Sequence, residues 1–204
     1  MPVVPEPSPS GALRCEWLAV LMRVGPLRWL CELAPQRGLF VVPTLAVCVC
    51  SALDLLDSLV ARWSLQPHPE GGWYRELQRS STQVTRPDGE KRNAITTVLF
   101  LLGAGDVSRW HCVHGGDEIW TFISGAPLSL FQHADGAVES TEQMLSPANP
   151  VDWVSAGVWM AARSQGDYSL VSCCVGPGFS FEDFELLRDR PPSRHPAGIR
   201  LDLL

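Results

Sequence analysis

The hydrophobic rhythm of the chain changes at residue 63. From Ser51 to Trp63 apolar residues recur every three or four positions, at Leu53, Leu56, Val60 and Trp63. That is the stripe of an amphipathic helix, with Ser51 placed to cap it. Pro67 and Pro69 end it. Beyond them the apolar positions come in short runs rich in Val, Thr, Ile and aromatics, separated by turn residues. These runs predict strands near 73–78, 94–102, 107–111, 118–123, 128–133, 138–144, 151–154, 158–163 and 168–175. Pro87-Asp88-Gly89 and Ala134-Asp135-Gly136 supply turns between neighbouring strands. No run after Trp63 calls for a long helix. The expected fold is all-β, an antiparallel barrel or sandwich behind one short helix.

The first fifty residues differ. Residues 2–10 are rich in Pro and Ser, a composition that resists ordering. The apolar run from Leu39 to Ala52 is 14 residues long and broken by Pro43, short of the roughly 20 that a membrane span needs. It also starts too late for a secretory leader. The stretch therefore reads as a poorly ordered or loosely packed extension.

Charge and cysteine usage narrow the function classes. A net charge of −6 leaves no basic stripe for nucleic acid, and no membrane segment is predicted. There are seven Cys, an odd number; Cys48 and Cys50 are one residue apart, and Cys173 and Cys174 are adjacent. That is poor geometry for a disulfide framework and points to free thiols in a reducing cytoplasm.

The chemistry concentrates between Gly105 and Gly125, GDVSRWHCVHGGDEIWTFISG. The sequence suggests a strand, a tight turn at Gly115-Gly116 and a returning strand. Alternation places His111 and Val113 on one face, and Glu118, Trp120 and Phe122 on one face of the return strand. If both faces point inward, His111 and Glu118 meet in an aromatic-walled cavity. The spacing Gly-x5-His-x-Val-x4-Glu-x6-Gly matches the first cupin motif, with Val113 where metal-binding cupins have a second histidine. In the second motif region, SAGVWM (155–160), Met160 replaces the final histidine. A thioether is a poor ligand for iron, manganese or zinc, so no metal and no other cofactor is expected.

The segments HPEGGWYRE (68–76), SRWHCVHGGDEIWTF (108–122), AGVWMAAR (156–163) and YSLVSCCVGPGFSFEDFEL (168–186) together resemble one small-cupin family. That family is usually labelled a domain of unknown function or a predicted sugar epimerase of the cupin superfamily. The resemblance implies a double-stranded β-helix, the RmlC-like jelly-roll barrel, over residues 51–190. The extension 1–50 precedes it and a C-terminal tail, 191–204, follows. It further implies a homodimer and a pocket at the barrel mouth for a small molecule, such as a sugar or nucleotide-sugar. Ser155, Met160 and Thr121 depart from the family pattern, which has Pro, usually Gln, and often His at those places.

Candidate roles follow. His111 reads as a general base, since an imidazole changes charge near neutral pH; the alternative is a core histidine satisfied by backbone. Glu118 would orient it or touch ligand, or else form a salt bridge at the rim. Tyr168 would supply the phenolic acid that the resemblance to sugar-nucleotide epimerases implies, or be a core aromatic. Arg75 and Glu76 would hold a substrate carboxylate or phosphate, or pair across strands. Trp120, Phe122 and Met160 would line the substrate site, with simple core packing as the alternative for the aromatics. Two functions remain: an epimerase- or isomerase-like enzyme, and a binder that kept the barrel without chemistry.

Overall fold

The computed structural model describes residues 52–204. The Ser51 cap, the side chain of Leu53 and the extension 1–50 lie outside the described residues. Helix α1 (Ala52–Trp63) turns Leu56, Leu59, Val60 and Trp63 toward Leu65, Leu99, Leu101 and Leu170, so its apolar stripe is buried against a sheet. No helix among the described residues is long and apolar enough to cross a membrane.

The strands are β1 (Gln66–Pro67), β2 (Trp73–Arg79), β3 (Gln83–Thr85), β4 (Lys91–Asn93), β5 (Thr96–Gly103), β6 (Val107–Val113), β7 (Asp117–Gly125), β8 (Leu128–His133), β9 (Thr141–Leu145), β10 (Val151–Val154), β11 (Trp159–Ser164), β12 (Tyr168–Gly176) and β13 (Phe184–Leu186). They form a six-stranded sheet in the order β1-β2-β5-β12-β7-β10, and a five-stranded sheet in the order β13-β6-β11-β8-β9. Every pairing is antiparallel. The two sheets enclose a core that includes Phe100, Leu102, Trp120, Leu130, Met160 and Val171, the double-sheet jelly roll that hides most strand edges. The nine strands expected from alternation are β2 and β5 to β12. The strands that alternation missed, β1, β3, β4 and β13, have two or three residues each, too few to show a period.

Two attachments shape the barrel. The β3–β4 hairpin turns at Gly89, whose φ of +89° suits glycine. Arg86 and Arg92 each donate to Asp183 at 2.8 Å, which clips the hairpin to the segment after β12. Residues 191–204, set outside the domain by the sequence, cover the outer face of the five-stranded sheet. There Ile199 and Leu203 are buried with Trp110, Phe131 and Trp159, and the Trp110 indole N–H donates to the Arg200 carbonyl at 2.8 Å.

Gly115 and Gly116 do not have positive φ. They are glycines for want of room: a Cβ on Gly115 would strike Arg86 and Asp183, and one on Gly116 the Pro177 carbonyl oxygen, 2.5 Å away.

Candidate functional site

One end of the barrel holds a cavity of about 650 Å³. Its walls include Tyr74, Phe100, Phe179, Phe181 and Phe184, and Arg79, Lys91 and Arg92 also border it. Set among the aromatics are His68, Glu70, His111, Glu118 and Cys173. Apolar walls with a few convergent polar groups are what small-molecule sites usually present.

The loop between β1 and β2 delivers the first two of these groups. His68 N–H donates to the Gly72 carbonyl and Gly71 N–H to the His68 carbonyl, both at 3.0 Å. Gly71 and Gly72 have φ of +114° and +67°, a region costly for other residues. A Cβ on Gly71 would also collide with the Val107 carbonyl oxygen. The two glycines thus let this loop press onto β6. Arg109 N–H donates to the Glu70 carbonyl at 2.9 Å, and the Glu70 side chain enters the barrel.

Strand β6 receives Glu70 through a bulge. Met160 pairs with His111 and Ala162 with Ser108, so two steps on β11 oppose three on β6. In a regular strand, residues three apart face opposite ways. The extra residue turns both Ser108 and His111 inward. The Ser108 hydroxyl donates to Glu70 Oε1 at 2.7 Å, and His111 Nε2 lies 3.3 Å from Glu70 Oε2. His68 Nδ1 lies 3.2 Å from that same oxygen. On its other side, His111 Nδ1 is 2.8 Å from the Arg109 carbonyl oxygen.

The two buried carboxyls of this cavity live in opposite surroundings. Burial works against the charge of Glu70, but His111, His68 and the Ser108 hydroxyl outweigh it and hold its carboxyl below the usual range. Glu118, on β7, has no such cation. Burial first, and the negative Glu70 second, push its carboxyl up to about 8, with a hydrogen bond from the Cys173 thiol a lesser opposing effect. Glu118 is therefore a neutral acid at pH 7 and Glu70 an anion.

The residues singled out by sequence fall into three groups. His111, Glu118 and Glu76 border the cavity; Glu76 is held by Arg79 through contacts of 2.7 and 3.1 Å. Trp120, Phe122 and Met160 belong to the packed barrel core rather than to the cavity lining. Trp120 backs the wall through an edge contact with Phe100 at 5.8 Å. Arg75 and Tyr168 lie elsewhere. Tyr74 and Glu76 take the inward face of β2, so alternation turns Arg75 away. Tyr168 opens β12 and packs with Leu99, Leu101 and Leu170 in the cluster that α1 covers. His114 also points away, its Nε2 2.9 Å from Glu185.

Glu70, Ser108 and His68 are the site residues that the sequence pattern leaves without a role. The signal for Glu70 is an acid directly before Gly71-Gly72, a glycine pair that permits close backbone approach. Ser108 carried no signal, because its inward turn depends on a bulge.

The residues do not fit the metal centre of metal-binding cupins, the family type that the motif resembles. Val113 and Met160 occupy two ligand positions, and His111 Nε2 is directed at Glu70. Among the described residues no group of three or more His, Cys, Asp or Glu side chains is arranged to hold an ion.

Solved structures share this arrangement of strands. A hypothetical protein from Leishmania major is 30% identical, with a TM-score of 0.58, over 63% of this chain and 85% of its own. A protein from Shewanella oneidensis is 34% identical, with a TM-score of 0.56, over 64% of this chain and 83% of its own. No curated protein matches the chain. The model of the family described as "Cupin superfamily (DUF985)" matches residues 57–187, from within α1 to the end of the barrel. The chain belongs to that family.

Proposed function

We propose that this protein is an epimerase- or isomerase-type enzyme that moves a proton on a small polar ligand, of the sugar or nucleotide-sugar class, without a metal. One observation carries the reading: a single cavity holds two buried carboxyls in opposite surroundings, Glu70 against two imidazoles and the Ser108 hydroxyl and Glu118 with no cation beside it. Environments that push two titratable groups apart assign the acid and the base. Glu118 keeps its proton at neutral pH and serves as the acid. Glu70 and the imidazoles around it form the basic side. Such a pair suits removal of a proton from carbon beside a carbonyl, with Glu118 donating to the carbonyl oxygen. Tyr74, Phe100 and Phe184 offer faces for a sugar ring, and Lys91, at the cavity border, offers charge to a phosphate.

Free thiols at Cys112 and Cys173, both buried, go with a cytoplasmic setting. Pairing into a homodimer is supported by the apolar outer face of β7 and β10, where Ile119, Ile123, Val151 and Trp153 are exposed. Trp153→Arg should convert a sedimenting dimer to monomer; an unchanged dimer places the contact elsewhere.

The test of the activity starts with native mass spectrometry to identify a co-purified ligand. That ligand is then incubated with the protein in deuterium oxide and followed by NMR. Deuterium entering a carbon position with wild type, and not with Glu118→Gln, supports the enzyme. A ligand that binds and never exchanges overturns it and leaves a binding protein.

A further inference from the structure

We infer that His68, and not the motif histidine His111, is the side chain that accepts a proton from the ligand, with His111 acting as a fixed imidazolium that positions Glu70. The inference rests on the proton-transfer reading above and assigns its base.

Hydrogen-bond valence carries the argument. A neutral imidazole has one N–H. His111 Nδ1 faces the Arg109 carbonyl oxygen at 2.8 Å, an acceptor with no proton to give. His111 Nε2 faces Glu70 Oε2 at 3.3 Å. With Nδ1–H given to the carbonyl, the Nε2 contact is met by a second ring proton when Glu70 is ionised, the state its neighbours favour. A ring so occupied, and only 2% exposed, has no lone pair to offer a ligand. It instead cancels the charge that Glu70 would otherwise bury alone.

His68 is placed differently. Its Nδ1 lies 3.2 Å from Glu70 Oε2 and 3.5 Å from the Glu70 backbone N–H; the shorter contact, to a carboxylate that His68 helps to hold ionised, places the proton on Nδ1 and the lone pair on Nε2. Among the described residues no hydrogen-bond partner meets Nε2, and the side chain borders the cavity. The ring is flanked by Tyr74 at 4.6 Å and by Phe184 and Phe181 at 5.8 and 6.1 Å. The charged groups around it are Glu70 on its own loop and His111 on β6, with Glu118 on β7 neutral.

The step balances. The ligand C–H bond breaks and its proton goes to His68 Nε2. The electron pair moves toward the carbonyl oxygen, which takes the Glu118 proton. His68 Nε2–H then returns a proton to carbon while the enol O–H returns its proton to Glu118, which restores both groups. Glu70 touches no reacting atom and is a positioning residue.

Histidine ¹⁵N–¹H long-range NMR of the full chain at pH 7 tests the assignment without a substrate. Signals are assigned by their loss in His68→Gln and His111→Gln. The expected result is His111 protonated on both nitrogens, and His68 protonated on Nδ1 with a free Nε2. Glu70→Gln should remove one proton from His111 and release the fixed His68 tautomer. Diethyl pyrocarbonate should label His68 and leave His111 unmodified. A neutral His111, or a His68 with its proton on Nε2, overturns the inference. These outcomes are independent of turnover, so an inactive protein with this protonation pattern refutes the enzyme reading alone. With an identified ligand, His68→Gln should cut proton exchange by about 10²–10⁴-fold.

Discussion

His111 Nε2 faces Glu70 Oε2 at 3.3 Å, although motif spacing pairs that histidine with Glu118. A residue 41 positions earlier in the chain (111 minus 70) thus supplies the carboxylate, and Glu118 is left free to stay protonated. The site owes its division of labour to this exchange of partners.

Glu70→Gln should therefore destabilise the barrel. It removes the anion from a buried ion pair and leaves the imidazole uncompensated, a change worth about 3 kcal/mol. The folded Glu70 carboxyl titrates below its ordinary value of 4.5. Its stabilisation is complete above pH 4.5 and fades as pH falls through the folded value. Urea unfolding at pH 7 should show the full loss, and His111→Gln added to Glu70→Gln should cost less than the sum. A loss at pH 7 below about 0.5 kcal/mol, the size of a neutral surface change, counts against the pair.

Gly71→Ala should damage the site without touching its chemistry. The added Cβ meets the Val107 carbonyl oxygen and the backbone φ is +114°. The loop must back away from β6 and draw Glu70 out. We expect a loss of about 1–3 kcal/mol from strain alone, together with disappearance of the His111–Glu70 coupling in NMR. A variant with wild-type stability and unchanged histidine signals shows that the loop does not set the site.

Metal content is a separate check. With Val113 and Met160 in two ligand positions and His111 Nε2 directed at Glu70, a tight iron, manganese or zinc site lacks the three protein ligands it needs. Elemental analysis after gentle purification should find far less than one ion per chain. One ion per chain, lost in His111→Ala, contradicts this.

The barrel was legible because its long strands alternate. Phe100 and Leu102 on β5 go inward while Leu99 and Leu101 meet α1, and that period of two is visible in sequence. His111, Val113 and Glu118 follow from the same rule. The remainder of the site depends on departures from the rule. Ser108 turns inward only because β6 carries an extra residue opposite β11. Glu70 and His68 sit in a loop with no period, positioned by two left-handed glycines. Tyr168 misled because the start of a strand does not reveal which face the strand presents, and here that face is packed against α1. Local patterns report local geometry; a bulge and a docked loop are settled by partners distant in sequence.

Glu118 should leave a signature in the pH dependence of stability. Its carboxyl titrates at about 8 in the folded protein against an ordinary value of 4.5. Below pH 4.5 it is protonated in both states and costs nothing. Between pH 4.5 and 8 the unfolded chain releases this proton and the folded one keeps it. The unfolded state then binds fewer protons, and stability falls as pH rises. The total, at about 1.4 kcal/mol per unit, is on the order of 5 kcal/mol, and the curve flattens above pH 8. The other carboxyls with resolved shifts, Glu70, Asp88, Asp183, Glu185 and Asp202, are all lowered. They act below pH 4.5 and with the opposite slope, so among these carboxyls Glu118 alone acts between pH 4.5 and 8. Glu118→Gln replaces the neutral acid by a neutral amide of similar shape. It should flatten the slope between pH 5 and 8 relative to wild type and make the variant more stable than wild type at pH 8. The measurement is urea unfolding at half-unit intervals across that range. Parallel curves for the two proteins show that Glu118 is ionised in the folded barrel, and with that the assignment of Glu118 as the acid fails.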